Sequence, residues 1–598
     1  MESRFQFIRD PHFKWGFLVF AVALMVRLVG IGWGLPNESR MESLHPDEPI
    51  VRQVSGNVNI AAGKFTPGFY NYGTLYLTMN SVGQKLADAY APVDPQKEGF
   101  GPYVRRYYVV GRWISALAGA GLAWVVYAIL RRRTNLLGAF LGSAAVAFAP
   151  GLVMHSRFQT VDMVATFLGM LGLHYALLLV PGRDSGLPLL GGEAPRGTRG
   201  DGEGGSAEPS PSGPFGATFP SEEGKALGLP SAFWPTVIKA AICLGLSAGT
   251  KYTGGVLLVG LWGAIWSSGL PTPQRIKGLA ASFGILLASL LVATPGIILD
   301  QATFLKDFTY ELGHTSTGHG FVFTATPPGF IQQAVNLSQA FGVALMLLGF
   351  VGLVVGAWRR HPWLIVMLAS YVIFYLFIAR AEVKFVRYCF PLIPILALGV
   401  GWLAGQCHEH PNRKWSLVVG LVAFALFGVP SGGIKDTFLY TGAMTAIDNR
   451  DAVGAEIKLA GQGKTVGLPN LPWFYSPTIY PAAQLSKPDY LRFGKQMQEA
   501  TQDPRVMAYD SGAGQTVAQW LTGTMPDFVV YSTFEDLDMR RILNSRTDDQ
   551  GAMAAAKQWD EFKQALAKDY DAKIWEMGSP LHDLMYVQPG MVLWTRRK

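Results

Sequence analysis

Long, uninterrupted apolar runs are the feature that most constrains how this chain can fold. The run WGFLVFAVALMVRLVGIGWGL over 15–35 is long enough, as a helix, to cross a hydrocarbon core of about 30 Å. The chain is 49% hydrophobic and 15% charged, whereas soluble proteins carry about 25% charged residues. The sequence therefore predicts a polytopic α-helical membrane protein. Because no small-residue cleavage site follows the first run, we interpret it as a retained helix rather than a signal peptide.

The distribution of these runs predicts about eleven transmembrane helices. They lie near 15–35, 106–130, 136–154, 159–180, 234–249, 253–268, 277–298, 335–357, 362–379, 389–406 and 415–432. Clusters of Lys and Arg follow the second, sixth, eighth and tenth spans, which is typical of cytoplasmic loops if the amino terminus is also cytoplasmic. With this orientation, everything after residue 432 lies on the outer face.

The chain is predicted to have two domains. Residues 1–434 form the transmembrane module, with a long outer loop at 36–105 in which 69–90 is predicted to be an interfacial helix. A segment rich in Gly, Pro and Ser, 181–233, is predicted to be a disordered cytoplasmic linker, because it has too few large apolar residues to form a core. Residues 435–598 are predicted to be a soluble extracytoplasmic α/β domain.

Short alternating or apolar segments support the prediction for this second domain. KTVGL (464–468), DFVVYS (527–532) and MVLWTR (591–596) are typical of strands. The segment 556–570 is predicted to be an amphipathic helix that places four aromatic or apolar side chains on one face: Trp559, Phe562, Leu566 and Tyr570.

Cysteine content and net charge exclude other classes of protein. The three cysteines, Cys243, Cys389 and Cys407, lie in or beside apolar segments without CxxC spacing, which indicates neither a zinc site nor a disulfide framework. The net charge of +8 is explained by basic cytoplasmic loops and does not indicate nucleic-acid binding.

Basic residues also occur where the positive-inside rule does not expect them, at the outer ends of spans. They are Arg157, Lys251, Arg380, Lys384 and Arg387. Ionisable groups at membrane depth are costly and tend to mark functional sites. A converging cluster of cations below the outer head groups suits an anionic lipid head, most simply a phosphate.

Carboxylates accompany these cations on the same face of the membrane. Asp47 and Glu48 follow the first span in the sequence HPDE, and Asp162 begins the fourth span. A carboxylate could remove a proton from an acceptor hydroxyl while the cations stabilise a departing phosphate, which is the arrangement needed for glycosyl transfer from a lipid phosphate. We expect His314 and His319, in an outer loop, to line the same cleft.

Simpler interpretations of these residues stay open. Arg157 and Asp162 could cap two helices and pair with each other. Lys251 could extend its amine to the membrane interface. Asp47 and Glu48 could serve the amino terminus of a helix, whose first turn favours carboxylates.

Four segments together resemble the GT-C glycosyltransferases of the protein O-mannosyltransferase and aminoarabinose-transferase type. They are HPDE (45–48), SRFQTVDMVATF (156–167), GLSAGTKYTGGVLL (245–258) and KFVRYCFPLIPIL (384–396), and PDFVVYS (526–532) is similar to a segment of bacterial members. The resemblance covers roughly residues 15–435 well and the remainder loosely. It implies a GT-C fold, a polyprenyl-phosphate-linked sugar as donor, inversion at the anomeric carbon and a hydroxyl acceptor.

The resemblance also implies roles for individual residues. Asp47 would be the general base, Glu48 its neighbour that orients acceptor or sugar, and Asp162 a second acidic residue in the cavity. Lys251 and Arg387 would hold the donor phosphate, with Arg157 and Lys384 as further candidates. Four more side chains would line the cavity: His45, Tyr310, His314 and His319.

Departures from the family pattern narrow this expectation. Ile50 stands where the aminoarabinose-transferase type commonly has an Arg, and the nearest is Arg52. The chain lacks a WWDYG-like element and a MIR-like insertion. We therefore expect a metal-independent bacterial enzyme that requires no cofactor, rather than a metal-dependent oligosaccharyltransferase or a eukaryotic-type mannosyltransferase.

Two other classes of function remain as alternatives. A membrane transporter or flippase of a lipid-linked or anionic substrate would also contain buried charges, and a membrane anchor for the outer domain needs no catalytic group. The expected location is the bacterial cytoplasmic (inner) membrane, with the site and the carboxyl-terminal domain facing the periplasm. The sugar and the acceptor, whether lipid A, glycan, another lipid or protein, stay open.

Overall fold

The computed structural model describes most of the chain. The described residues are 11–37, 40, 42–94, 100–181, 232–410, 416–428, 432–460, 463–479, 505–578 and 586–598. Of the linker predicted at 181–233, residues 182–231 lie outside these residues, and Phe233 is the first residue of a helix. The described part of the chain is mostly helical, with one small sheet near its carboxyl terminus.

Helices cover every predicted span, although several are shorter than predicted. Before the linker they are α1 (Pro11–Leu28), α2 (Glu48–Asn57), α3 (Thr74–Tyr90), α4 (Phe100–Arg131), α5 (Leu136–Ala147), α6 (Pro150–His155) and α7 (Asp162–Leu177). After it follow α8 (Phe233–Ala248), α9 (Leu258–Trp266), α10 (Thr272–Ala293), α11 (Gly296–Leu299), α12 (Gln301–Thr317), α13 (Gly329–Phe341), α14 (Val343–Trp358), α15 (Pro362–Ala379), α16 (Leu392–Glu409) and α17 (Ser416–Leu426). The helix predicted within 69–90 is confirmed as α3.

Among the described residues, three helices are by themselves long and apolar enough to cross a membrane. They are α4, α10 and α15, and the bent pair α13–α14 is a fourth candidate. The polytopic, mostly helical architecture therefore agrees with the sequence, whereas the number of eleven spans stays a prediction.

The predicted span 335–357 is not one straight helix. Its two parts, α13 and α14, meet at Gly342 with a bend of 107°. Gly342 has a φ of 103°, a conformation that residues with a Cβ rarely adopt. A Cβ on Gly432 would lie 2.2 Å from the Gly342 Cα, so another backbone segment also approaches closely at the bend.

Glycines allow the central helices of the bundle to approach closely. Helix α16 is almost entirely buried and packs against α14 and α5. A Cβ on Gly352 of α14 would lie 2.1 Å from the Gly399 carbonyl oxygen of α16, and a Cβ on Gly138 of α5 would lie 2.4 Å from the Gly401 oxygen. Small residues at such contacts are typical of membrane helix packing.

The carboxyl-terminal region contains a five-stranded sheet in the order β2-β1-β3-β5-β4. Its helices and strands are α18 (Gly433–Thr445), α19 (Asn449–Ala460), β1 (Val466–Leu468), β2 (Val506–Ala508), α20 (Val517–Thr524), β3 (Phe528–Ser532), α21 (Thr533–Leu543), α22 (Gln550–Asp569), β4 (Tyr570–Trp575) and β5 (Met591–Arg596). Strand β1 pairs in parallel with β2 and β3, while β5 pairs antiparallel with β3 and β4.

Side chains of β3 alternate between the two faces of the sheet, as expected for a strand. Phe528 and Val530 pack with α19, while Val529 and Tyr531 pack with α20 and α22. The three predicted strands are confirmed. The predicted helix is confirmed as α22 up to Asp569, whereas Tyr570, which was predicted on its face, is the first residue of β4. All four side chains still share one apolar cluster. The division into two domains and the outer location of this region stay predictions.

Candidate active site

The HPDE segment forms a turn that leads directly into α2. Asp47 occupies the position before the first helical residue, and Pro49 in the first turn suits a helix start. The Asp47 side chain makes no capping hydrogen bond. Helix capping therefore does not account for this carboxylate, which is directed elsewhere.

The Asp47 carboxylate pairs with a guanidinium from a distant part of the chain. Its Oδ2 lies 3.4 Å from Nη1 of Arg387, and both side chains are partly exposed. Arg387 lies in a short 3-10 segment, Val386–Cys389, between α15 and α16. Burial alone would lower the pKa of Arg387, but Asp47 and then Asp162 raise it above its ordinary value, so the guanidinium stays charged.

A second ion pair adjoins the first. Nζ of Lys251 lies 2.7 Å from Oδ1 of Asp162 at the start of α7, and 4.6 Å from the centre of the Tyr388 ring. Asp162, Lys251, Arg387 and Tyr388 line one narrow cleft, together with the hydroxyl-bearing Thr166, Ser247 and Thr253. The structure thus brings together two predicted cations, Lys251 and Arg387, and two predicted carboxylates, Asp47 and Asp162. The alternative in which Lys251 only extends its amine to the membrane interface does not account for its ion pair with Asp162.

Glu48 has a different position from its neighbour. Both its side chain and that of Arg112 are fully buried, and the two form a bidentate pair at 2.8 and 2.6 Å. The Gln159 backbone N–H and the Ser43 hydroxyl also donate to this carboxylate. Burial alone would raise the pKa of Glu48, but Arg112 lowers it below its ordinary value. Glu48 supports the turn and is not among the residues that line the cleft. Its role in orienting acceptor or sugar stays a prediction.

The two further phosphate-binding candidates do not line the cleft. Arg157 is buried and donates to the Val26 carbonyl oxygen (2.8 Å) and the Thr441 hydroxyl (2.6 Å). The alternative in which Arg157 pairs with Asp162 is not observed, since Asp162 pairs with Lys251. Lys384 donates to the Thr326 hydroxyl and the Pro327 carbonyl oxygen. Arg157 therefore connects α1 with α18, and Lys384 connects its own loop with the segment before α13.

The predicted cavity-lining residues fall into two places. His45 is fully buried, with its ring between Phe158 and Tyr586. The other three form a cluster at the carboxyl-terminal end of α12 and the loop after it. There, Tyr310 stacks on His314, and Nε2 of His314 lies 3.2 Å from Nδ1 of His319.

This histidine cluster is close to the cleft. The His319 ring lies 5.7 Å from Phe385, and the Arg387 guanidinium lies 4.2 Å from the centre of the same Phe385 ring. Burial, His314 and Arg387 lower the pKa of His319 below its ordinary value. His314 and His319 therefore lie near Arg387, whereas His45 is buried between Phe158 and Tyr586.

Sequence reasoning missed Arg112, Tyr72 and Tyr388. Arg112 had a usable signal, because a charged residue inside an apolar span requires a buried partner. Tyr72 is close enough to the site that, together with burial, the charge of Asp47 raises its pKa. Tyr388 had no signal beyond its position next to Arg387. Among the residues that the structure describes, no group of three or more His, Cys, Asp or Glu side chains is arranged to hold a metal ion.

Comparisons with solved structures give low similarities over long alignments. ArnT from Cupriavidus metallidurans bound to undecaprenyl phosphate is 14% identical, with 97% of this chain and 98% of that chain covered and a TM-score of 0.48. The apo oligosaccharyltransferase from Archaeoglobus fulgidus is 13% identical, with 91% and 72% covered and a TM-score of 0.46. The S. cerevisiae protein O-mannosyltransferase Pmt1-Pmt2 complex bound to the sugar donor is 16% identical, with 53% and 36% covered and a TM-score of 0.29.

Sequence comparisons identify one related family. No curated protein matches the chain. A family model described as dolichyl-phosphate-mannose-protein mannosyltransferase matches residues 17–183, the segment that contains Asp47 and Asp162. The resemblance to GT-C glycosyltransferases of the protein O-mannosyltransferase type is thereby confirmed over residues 17–183.

Proposed function

We propose that this protein is a membrane glycosyltransferase that transfers a sugar from a polyprenyl-monophosphate carrier to an acceptor hydroxyl. The observation that carries the proposal is the Asp47–Arg387 pair beside Lys251 and Asp162. This pair places a candidate base next to cations that suit a phosphate. The match of residues 17–183 to a mannosyltransferase family model supports the general reaction.

The proposed chemistry is a displacement at the anomeric carbon. Asp47 accepts the proton of the acceptor hydroxyl, and the hydroxyl oxygen forms a bond to the anomeric carbon. The bond from that carbon to the phosphate oxygen breaks, and the lipid phosphate leaves with the electron pair. Lys251 and Arg387 stabilise the charge on the leaving phosphate. Attack opposite the leaving group inverts the anomeric configuration, and the chemistry requires no metal ion.

Each cation of the site already has a carboxylate partner. Lys251 pairs with Asp162, and Arg387 pairs with Asp47. A donor phosphate would therefore share Arg387 with Asp47, which would bring base and leaving group into one network of charges. The cleft and the carboxyl-terminal region are proposed to face the periplasm, where polyprenyl-linked sugars would meet an acceptor that is a glycan, a lipid or a protein.

The proposal is tested by transfer of radiolabelled sugars from a panel of polyprenyl phosphates to a membrane extract. Wild type should transfer at least one sugar, with or without EDTA. Asp47→Asn should lower kcat by about 10²–10⁴-fold, the usual contribution of a general base. Asp88→Asn, a matched change at an exposed carboxylate of the same outer loop, should retain activity.

Contrary outcomes separate the alternatives. Full transfer by Asp47→Asn would remove this carboxylate as the base. If wild type transfers no sugar from any donor but moves a lipid-linked sugar across the bilayer of sealed vesicles, the protein is a transporter or flippase.

A further inference from the structure

The carboxyl-terminal region contacts the turn that carries the proposed base. The ring of Tyr586, which precedes β5, meets the His45 ring edge-on with 5.0 Å between ring centroids. Phe158 lies on the His45 ring as well, at 4.5 Å. His45 is fully buried by these contacts.

The His45 ring is hydrogen-bonded to the backbone of Asp47. The Asp47 backbone N–H donates to Nδ1 of His45 at 3.1 Å, so the neutral ring carries its hydrogen on Nε2. The His45 backbone N–H in turn donates to the Ser43 hydroxyl oxygen. The orientation of one buried ring therefore fixes the backbone from which the Asp47 carboxylate extends.

Tyr586 is itself held in place by a buried ion pair. Nη2 of Arg450 donates to the Tyr586 carbonyl oxygen at 2.7 Å, and the same guanidinium is bidentate to Asp448 at 2.8 Å for each bond. Oδ2 of Asp448 also accepts a hydrogen bond from the Trp33 indole. The Arg450–Asp448 pair thus connects the backbone of Tyr586 with Trp33, which lies between α1 and the HPDE turn in the sequence.

We propose that Tyr586 is a positioning residue for Asp47. It acts through His45, whose ring it packs against, and Arg450 with Asp448 holds it in that place. The inference rests on the proposed role of Asp47 as a general base. It assigns to the carboxyl-terminal region a part in catalysis, although no contact of that region with the cleft is required.

The expected effect follows from how strongly proton transfer depends on geometry. Removal of the Tyr586 ring would leave space into which His45 can rotate, and the Asp47 N–H would lose its acceptor. A displacement of about 1 Å in a catalytic group can cost about 10²-fold in rate. The donor phosphate is proposed to bind Lys251 and Arg387, so its binding should be little affected.

The test compares variants of the full-length protein in the sugar-transfer assay. Tyr586→Ala should lower kcat by about 10–100-fold, with the KM for donor within about twofold of wild type. Tyr586→Phe, which keeps the ring, should retain kcat. Tyr509→Ala is the matched control, because its ring packs against Trp520 in the same region. If Tyr586→Ala does not fold, Tyr586→Leu replaces it. This variant keeps part of the apolar volume but loses the ring that meets His45, so a smaller loss of kcat, still several-fold, is expected.

A double-mutant cycle tests whether Tyr586 acts through His45. If the two act in series, kcat of the His45→Ala, Tyr586→Ala double variant should be close to that of the more impaired single variant. Multiplied losses, or a Tyr586→Ala variant with wild-type kcat, would overturn the inference.

Hydrogen exchange provides a readout that does not depend on activity. Tyr586→Ala should accelerate exchange in a peptide that contains residues 43–48, while Tyr509→Ala should not. Unchanged exchange at the HPDE turn would also overturn the inference. An active wild type that is inactivated by Asp47→Asn but not by Tyr586→Ala would refute the inference alone, whereas a wild type without transfer from any donor would refute the proposed function.

Discussion

Asp47 and Glu48 are adjacent acidic residues with opposite environments. Asp47 lies before α2 and pairs with Arg387 at a partly exposed site, while Glu48, the first residue of α2, is fully buried against Arg112. Successive residues at a helix start point in different directions, so Asp47 reaches Arg387 at the edge of the cleft and Glu48 faces α4. The two carboxylates should therefore respond differently to neutralisation.

Glu48→Gln should destabilise the protein while Asp47→Asn should not. Neutralising Glu48 leaves the Arg112 guanidinium buried without a counter-charge, which costs about 3–5 kcal/mol. The partly exposed Asp47–Arg387 pair contributes about 1 kcal/mol or less. Thermal unfolding of the two purified variants in detergent measures the difference. Equal melting temperatures would contradict the assigned environments.

The sequence indicates which end of a predicted span carries a charged residue. It does not indicate the direction in which that side chain points. Asp47, Asp162, Lys251 and Arg387 were expected on one face of the membrane, and the structure brings them together. Arg157 is at a similar position in the sequence pattern, yet its side chain points to Thr441. Which way a side chain points depends on distant partners, which no local pattern contains.

At the scale of secondary-structure elements, α14 and α16 approach each other closely enough for their backbones to touch. A Cβ on Gly352 would lie 2.1 Å from the Gly399 carbonyl oxygen. Backbone atoms cannot rotate away as a flexible side chain can, so both helices would have to move apart. The contact thus depends on the absence of a single methyl group.

Gly352→Ala should lower the free energy of unfolding by about 1–3 kcal/mol, the usual cost of overpacking. Gly420→Ala is the control, because Gly420 lies in α17 with no atom within 4 Å of its Cβ position. There the higher helix propensity of Ala should be neutral or stabilising. Melting temperatures in detergent compare the two, and an equal response would show that α14 and α16 can separate freely.

Elements with local signals were predicted better than those shaped by contacts. Strand β3 was predicted from residues 527–532 because its β-rich composition is local to those residues. The bend at Gly342 was missed, because the chain has 69 glycines and nothing near residue 342 distinguishes it. Its φ of 103° is required by the packing of the surrounding helices.

For the whole molecule, the predicted orientation puts the loop after α4 inside and the carboxyl-terminal region outside. The three native cysteines are buried, so single cysteines introduced at exposed positions can report the side. Lys573→Cys in β4 should react with a membrane-impermeant maleimide added to spheroplasts. Arg132→Cys should react only after the membrane is permeabilised. The opposite labelling pattern would reverse the orientation and place the cleft in the cytoplasm.

The joining of the two ends of the chain could not be predicted from the sequence. Composition and hydropathy indicate separate membrane and α/β regions, but not the contacts of Tyr586 with His45 or of Arg40 with Asp451. These contacts join residues several hundred positions apart, and nothing in the local sequence around either residue of a pair indicates its partner. Only the folded arrangement shows that the HPDE turn is completed by the far end of the chain.

The late position of Tyr586 in the chain has a consequence for biosynthesis. His45 is made early, but the ring that packs against it belongs to residue 586 of 598. The residues of the cleft, among them Asp162, Lys251 and Arg387, are therefore synthesised before the residue that packs against His45. Under the proposed function, the turn that carries Asp47 reaches its final packing only after the cleft residues are in the chain, so a nascent chain would hold the proposed donor site before it holds the proposed base in place.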